Sequence, residues 1–110
     1  MDNIKELKER RQILYQDTID EIISLVQMIN QTNCVIIEDT PELIISFFGE
    51  KMAIKALFVD DNNRLKLLCC NRSSSQKYTF YTISNNLDCI DLLCLFDIID
   101  TLNAILNRIR

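Results

Sequence analysis

Apolar side chains recur at Ile4, Leu7, Leu14, Tyr15, Ile22, Leu25 and Ile29, with Arg11 and Thr18 filling the gaps in that spacing. The period predicts one long amphipathic helix over residues 3 to 30. At about 1.5 Å per residue such a helix runs on the order of 40 Å, long for so small a chain. Part of its stripe is therefore expected to reach beyond its own core, which favours self-association. From residue 33 the period changes to β-branched and aromatic runs, CVIIE, ELIISFF, MAIKALFV, RLKLLCC and KYTFYTI, separated by turn residues, and these predict an antiparallel meander of four to five strands. Asp39, Thr40 and Pro41 separate the first two runs. A strand is expected after them, with a short helix capped by Asp39 as the alternative over residues 40 to 48.

Turn chemistry sets a register. Gly49, the only glycine, falls between two strand-like runs where a tight hairpin needs a residue tolerant of positive φ. Asp60, Asp61, Asn62 and Asn63 make the next turn with side chains that cap their own backbone. If Val59 and Arg64 close that turn, Leu57 faces Lys66, Lys55 faces Leu68 and Ala53 faces Cys70. Met52, Ile54, Ala56, Phe58, Leu65, Leu67 and Cys69 then form an apolar face for the helices to cover. Lys55, Arg64 and Lys66 interleave with Leu57, Val59 and Leu68 on the other face, joined by Lys77 and Tyr81 from KYTFYTI. On this register Leu57 and Tyr81 lie at an association surface, so Leu57→Asp should spare the fold and Phe58→Asp should destroy it.

Ser84, Asn85 or Asn86 is expected to cap a terminal helix running to about residue 107. Within it, Asp88 and Asp91 project about 60° apart, with Asp97 and Asp100 nearly opposite. Four carboxylates so divided read as two polar stripes and not as one ion or acid/base site. The apolar set shifts with them, from Cys89, Leu92, Leu93 and Phe96 to Ile98, Ile99, Leu102, Ile105, Leu106 and Ile109. Either this helix bends near Asp97 or its halves bury against different things. Arg11, near the centre of the N-terminal stripe, is expected to snorkel out or to meet Asp97 or Asp100 across an antiparallel helix pair.

Composition narrows the function. With 110 residues, 48% of them apolar and 25% charged, the chain reads as one α+β domain over residues 1 to 110 with a long N-terminal helix, a sheet and a C-terminal helix packed on it. No leader or membrane-spanning run is apparent, and a cytoplasmic setting is expected. Cys34, Cys69, Cys70, Cys89 and Cys94 are odd in number and sit in apolar runs, so reduced buried thiols are expected. Cys69 and Cys70 point to opposite strand faces, and Cys89 and Cys94 lie roughly 140° apart on a helix, so neither pair suits a zinc ion. There is no histidine for acid/base work, no glycine-rich phosphate loop and no evident activator for a cysteine nucleophile. No catalysis, metal or cofactor is expected.

Charge is segregated. Residues 51 to 83 hold six cations against Asp60 and Asp61, a net of +4, which leaves −8 for the rest of a chain whose total is −4. A basic sheet beside acidic helices favours oriented association. The reading that fits best is a protein-interaction module, forming a homodimer or masking a protein partner in the manner of an inhibitor, immunity factor or chaperone, through Lys55, Leu57, Arg64, Lys66, Lys77 and Tyr81. The alternatives are a small-molecule sensor with a pocket lined by Met52, Phe58 and Phe80, and a weak nucleic-acid binder using the same cations with Tyr81 or Phe80 for stacking. The acidic total counts against the latter.

Overall fold

A computed structural model describes residues 2–37, 43–47, 49–71, 77–83 and 90–109. Helix α1 (Asp2–Ile29) is followed by strands β1 (Cys34–Ile36), β2 (Ile44–Phe47), β3 (Glu50–Val59), β4 (Leu65–Asn71) and β5 (Tyr78–Thr82), and by helix α2 (Leu92–Ile109). This is the α+β architecture expected from the periodicity. Residues 44–47 form a strand, as preferred over a short helix. The candidate capping residues Ser84, Asn85 and Asn86, residues 72–76, Asp39 to Pro41, Asp88 and Cys89 lie outside the described residues.

Local chemistry stops α1 and starts the sheet. The Asn30 amide still donates to the Val26 carbonyl at 3.0 Å. The Asn30 side chain then accepts from the Thr32 amide at 3.1 Å, and Asn33 takes a left-handed φ of 58°, a conformation asparagine tolerates better than most residues. The Asn33 carbonyl accepts from the Val59 amide at 2.9 Å, tying the turn to the far end of β3. Gly49 has a φ of 80° at the β2–β3 turn, where any other residue would be strained.

All strand pairings are antiparallel, in the order β1-β3-β4-β5, with β2 also on β3. The two short strands share one edge of β3: β1 pairs with its second half, Cys34 opposite Phe58 and Ile36 opposite Ala56, and β2 with its first, Ile44 opposite Ala53 and Phe47 opposite Glu50. On the other edge, Ile54 faces Cys69 and Ala56 faces Leu68, so Lys55 is an extra residue in a β-bulge. The same residue marks the change of partner, since the Lys55 carbonyl accepts from the Ile37 amide at 2.8 Å and the next amide, Ile54, donates to the Leu43 carbonyl at 2.9 Å.

The bulge corrects the predicted register. Val59 pairs with Leu65 and not with Arg64, Leu57 with Leu67, and Phe58 with Lys66. The turn is one residue longer than expected: the Asp60 amide donates to the Arg64 carbonyl at 3.0 Å, and the Asn63 amide to the Asp60 carbonyl at 3.0 Å. Asn63 takes a φ of 60°; five residues separate Val59 from Leu65 where four were expected, and residues 61–63 lie inside the Asp60–Arg64 hydrogen bond with the last of them left-handed. The one-residue slip turns over the β3 side chains from Ala56 to Val59, while Leu65, Leu67 and Cys69 of β4 stay on the inner face as expected; Lys55 then restores the phase, so Ala53 does face Cys70 as predicted. Leu57 is fully buried against the helices, and Phe58 lies on the opposite face, its ring centroid 5.4 Å from that of Phe80.

The core lies between the helices and the inner sheet face. Tyr15, Ile22 and Val26 of α1, Leu95, Ile98 and Leu102 of α2, and Ile45, Leu57, Leu67 and Cys69 of the sheet are buried together. The helices pack on each other, and Ile29, Ile105 and Ile109 line one cleft where their C-terminal ends meet. They therefore run parallel, not antiparallel. Arg11 sits roughly 27 Å along α1 from that junction and Asp97 and Asp100 no more than about 18 Å along α2. Arg11 is exposed, and among the described residues no ion pair joins it to either aspartate.

Residues 3 to 11 of α1 are all exposed, and Tyr15 is the first buried side chain. This arm gives the molecule a radius of gyration of 14.5 Å, against about 13 Å for a compact chain of this length. Ile4, Leu7 and Leu14 form its uncovered stripe, and an ion pair of 3.0 Å between Glu6 and Arg10 supports its solvent side.

Two substitutions test the corrected register by far-ultraviolet circular dichroism and urea melting. Leu57→Ala should cost about 2–5 kcal/mol and Leu57→Asp should abolish cooperative folding, whereas Phe58→Asp should leave a cooperatively folded protein. The reverse order would restore the four-residue turn. Gly49→Ala should cost roughly 1–2 kcal/mol through backbone strain alone, because no atom stands within 4 Å of the added Cβ.

Candidate interaction surface

The outer sheet face, turned away from the helices, is the most unusual surface of the molecule. Register places Ile36, Ile44, Phe58, Leu68, Tyr78 and Phe80 on it. Several of them are strongly solvent-exposed: Ile36 by 66%, Phe80 by 60% and Tyr78 by 50%. Ala53 and Ala56, at the centre, are small enough to be covered by these neighbours. A strand that alternates between two apolar faces cannot be recognised as amphipathic from sequence alone, and β5 shows the result with Tyr78 and Phe80 on the solvent side.

Lys51 and Lys66 stand at opposite ends of this face, one beside the β2–β3 turn and the other beside the 60–64 hairpin. No carboxylate occupies an outward position on any described strand. Asp60 stands beside Lys66 and is engaged by its own turn: Oδ1 accepts from the Asn62 and Arg64 amides at 2.9 Å each, while Oδ2 lies 3.7 Å from Lys66 Nζ. The Arg64 amide above all, with the Asn62 amide and the two nearby cations, holds the Asp60 carboxyl below its ordinary value of 3.8.

The six expected contact residues separate. Lys66 is on the outer face and half-buried, Lys55 rises from the bulge, and Lys77 is exposed just before β5. Arg64 is exposed at the hairpin tip. Leu57 belongs to the core, and Tyr81 turns toward the helix layer, where its ring lies 4.9 Å from that of Phe47 at 56°. Met52 is on the inner side with Leu57, while Phe58 and Phe80 meet on the outer side, so these three cannot line a common pocket.

On the helix side of the molecule carboxylates cluster between the α1 arm, which exposes Lys5, Lys8, Arg10 and Arg11, and Arg108 in the last turn of α2. Asp17, Asp20 and Glu21 of α1 and Asp97 and Asp100 of α2 are exposed, as is Asp91, whose carbonyl accepts from the Cys94 and Leu95 amides. Leu95, Ile98, Ile99, Leu102 and Leu106 make one continuous buried stripe along α2, so the helix does not need to bend. The first-half apolar residues Leu93 and Phe96 fall instead among Asp97 and Asp100 on its solvent face, with Leu93 exposed by 69%. The shift in pattern was visible in the sequence; its cause is that, among the described residues, nothing covers this second apolar patch.

The thiols differ sharply. Cys69 is fully enclosed, and burial, aided by Cys70, pushes its thiol up to about 11. Cys34, Cys70 and Cys94 are half-buried and free. Among the described residues no three potential metal ligands come together, and no helix is long and apolar enough to cross a membrane.

Compared with models of protein families, with curated proteins and with solved structures, the chain finds no match in any of the three.

Two measurements check this geometry. Because the folded pKa of Asp60 is depressed, its contribution to stability is present above about pH 3.8 and is lost as the pH falls through the folded value. The difference in urea midpoint between the native chain and Asp60→Ala should accordingly be largest near neutral pH and shrink on acidification. In timed alkylation at pH 8 followed by peptide mass analysis, Cys70 should be labelled well before Cys69, which should react only when urea opens the core.

Proposed function

We propose that this protein is a non-enzymatic interaction module, acting by self-association or by covering a protein partner. The observation that carries the reading is the outer sheet face, where large apolar side chains lie open between lysines. Burying one such side chain is worth about 1.5–3 kcal/mol. Covering three or four is thus comparable to the whole stability of a small domain, about 5–15 kcal/mol. Contiguous apolar surface of this kind, rimmed by polar residues, marks contact sites in folded proteins. The uncovered stripe of the α1 arm points the same way.

The side-chain inventory supports a role without catalysis. The chain has no histidine, and the most enclosed thiol is held protonated rather than activated. Phe80, an exposed aromatic that could stack on a base, belongs to a protein whose net charge is −4, which favours a protein over a nucleic acid as its cover.

The test pairs the native chain with Ile36→Ser/Phe80→Ser. Sedimentation velocity over a wide concentration range, under reducing conditions, should show mass above the monomer for the native chain and a loss of at least about tenfold in association for the variant at unchanged circular dichroism. If the native chain is monomeric throughout, the reading requires a foreign protein that co-purifies with it and not with the variant. A variant indistinguishable from the native chain in both assays would overturn the proposal.

A further inference from the structure

Two apolar patches of the described surface carry opposite charge, and they lie on opposite sides of the molecule. The outer sheet face presents Ile36, Ile44 and Phe80 with Lys51 and Lys66 and no outward carboxylate on a described strand. The solvent face of α2 presents Leu93 and Phe96 with Asp97 and Asp100. At about 100° per residue these four α2 side chains fall within roughly 100° of arc, so they form one face and not a scatter.

From this complementarity we propose that copies of the chain associate head to tail, the α2 face of one molecule seating on the outer sheet face of the next. The proposal rests on the interaction reading above and commits it to a second copy of the chain as partner. Sheet face against sheet face would oppose Lys51 and Lys66 to the same lysines, and α2 against α2 would oppose Asp97 and Asp100 to the same aspartates. Like-charge juxtaposition at an interface is costly, and complementary charge both attracts and fixes orientation. The outer face calls for an acidic amphipathic helix, and α2 presents one.

The geometry also decides the symmetry. In a two-layer fold the outer sheet face and the solvent side of the helices point in opposite directions, so two rigid copies cannot satisfy both contacts reciprocally. Each copy has one donor face and one acceptor face, which is a heterologous contact. It propagates into a ring if the rotation closes and into an open filament if it does not. A homodimer is expected from the sequence; a heterologous contact adds a direction to that association.

Single-face variants of the full chain provide the test. Phe80→Glu disables the sheet face and leaves α2 intact; Leu93→Lys does the converse. By sedimentation velocity each alone should be monomeric, and an equimolar mixture should form a 1:1 complex and nothing larger, because each pair is capped by two disabled faces. The native chain should form species that lengthen with concentration or stop at one ring size, and that weaken as salt is raised. A second set keeps the test independent of the apolar changes: Asp97→Lys/Asp100→Lys and Lys51→Glu/Lys66→Glu should each lower association at least about tenfold, and joining all four in one chain should restore it. Circular dichroism verifies that each variant is folded.

A native chain that assembles while the mixed variants stay monomeric, or variants that assemble as the native chain does, would show copies meeting through another surface such as the α1 arm. Either result overturns the head-to-tail contact and leaves the interaction reading standing. A native chain that is monomeric at every concentration overturns the head-to-tail contact as well. The broader reading is then decided separately by the co-purification arm of the Ile36→Ser/Phe80→Ser experiment.

Discussion

The position of one extra residue in β3 decides which side chains this protein buries. Met52 and Ile54 face the helices before Lys55, and Leu57 and Val59 face them after it. Without the bulge, strict alternation would leave Leu57 and Val59 outside and turn Ala56 and Phe58 inward. The extra residue is accommodated where β1 gives way to β2 along the opposite edge, so that Lys55 and Ile54 still find backbone partners in Ile37 and Leu43. A buried strand in which each amide and carbonyl must be paired admits a bulge only where its neighbours can absorb it.

That constraint propagates outward. Because β3 supplies the inner face with large residues on both sides of the bulge, the helices are held against one side of the sheet, with α1 and α2 parallel and their C-terminal ends together. The other side is left with Phe58, Leu68 and the aromatic pair of β5, and among the described residues no layer covers it. The high apolar content therefore reflects two greasy sheet faces with one set of helices. The same excess appears on α2, where a complete buried stripe coexists with Leu93 and Phe96 on the solvent side.

Periodicity sufficed for the elements and not for the faces. The helices, the glycine turn and the asparagine-rich turn follow from spacing and local propensity, and they appear within a few residues of where the sequence places them, except that α2 begins at Leu92 because Ile90 is held in a bridge to Phe47. Register was lost because two one-residue irregularities, a longer hairpin loop and the bulge, cancel: the pairing of Ala53 with Cys70 is the same with both or with neither. Alternation gave no warning, since Leu57 and Phe58 are both large and apolar. The signals present were Asn63, suited to a left-handed loop position, and Lys55 beside the small Ala56 in an otherwise apolar strand. The contact residues fared accordingly. Lys66 keeps its place on the open face, Leu57 loses it to the core, and Tyr81 goes to the inner side because β5 follows the β4 register.

Charge and apolar area then divide the work of recognition. At physiological salt the field of an exposed charge decays over about 8 Å, so the −4 total says little to an approaching partner, and the local sign of the surface being touched says most. The strands present cations where the helices present carboxylates, and this polarity runs across the thin direction of the two-layer fold. Lysines and aspartates on exposed surfaces contribute little affinity individually; what they can do is reject a wrongly oriented encounter. The affinity has to come from the isoleucines, leucines and aromatics between them. Those are the residues that the bulge in β3 and the solvent stripe of α2 leave without cover.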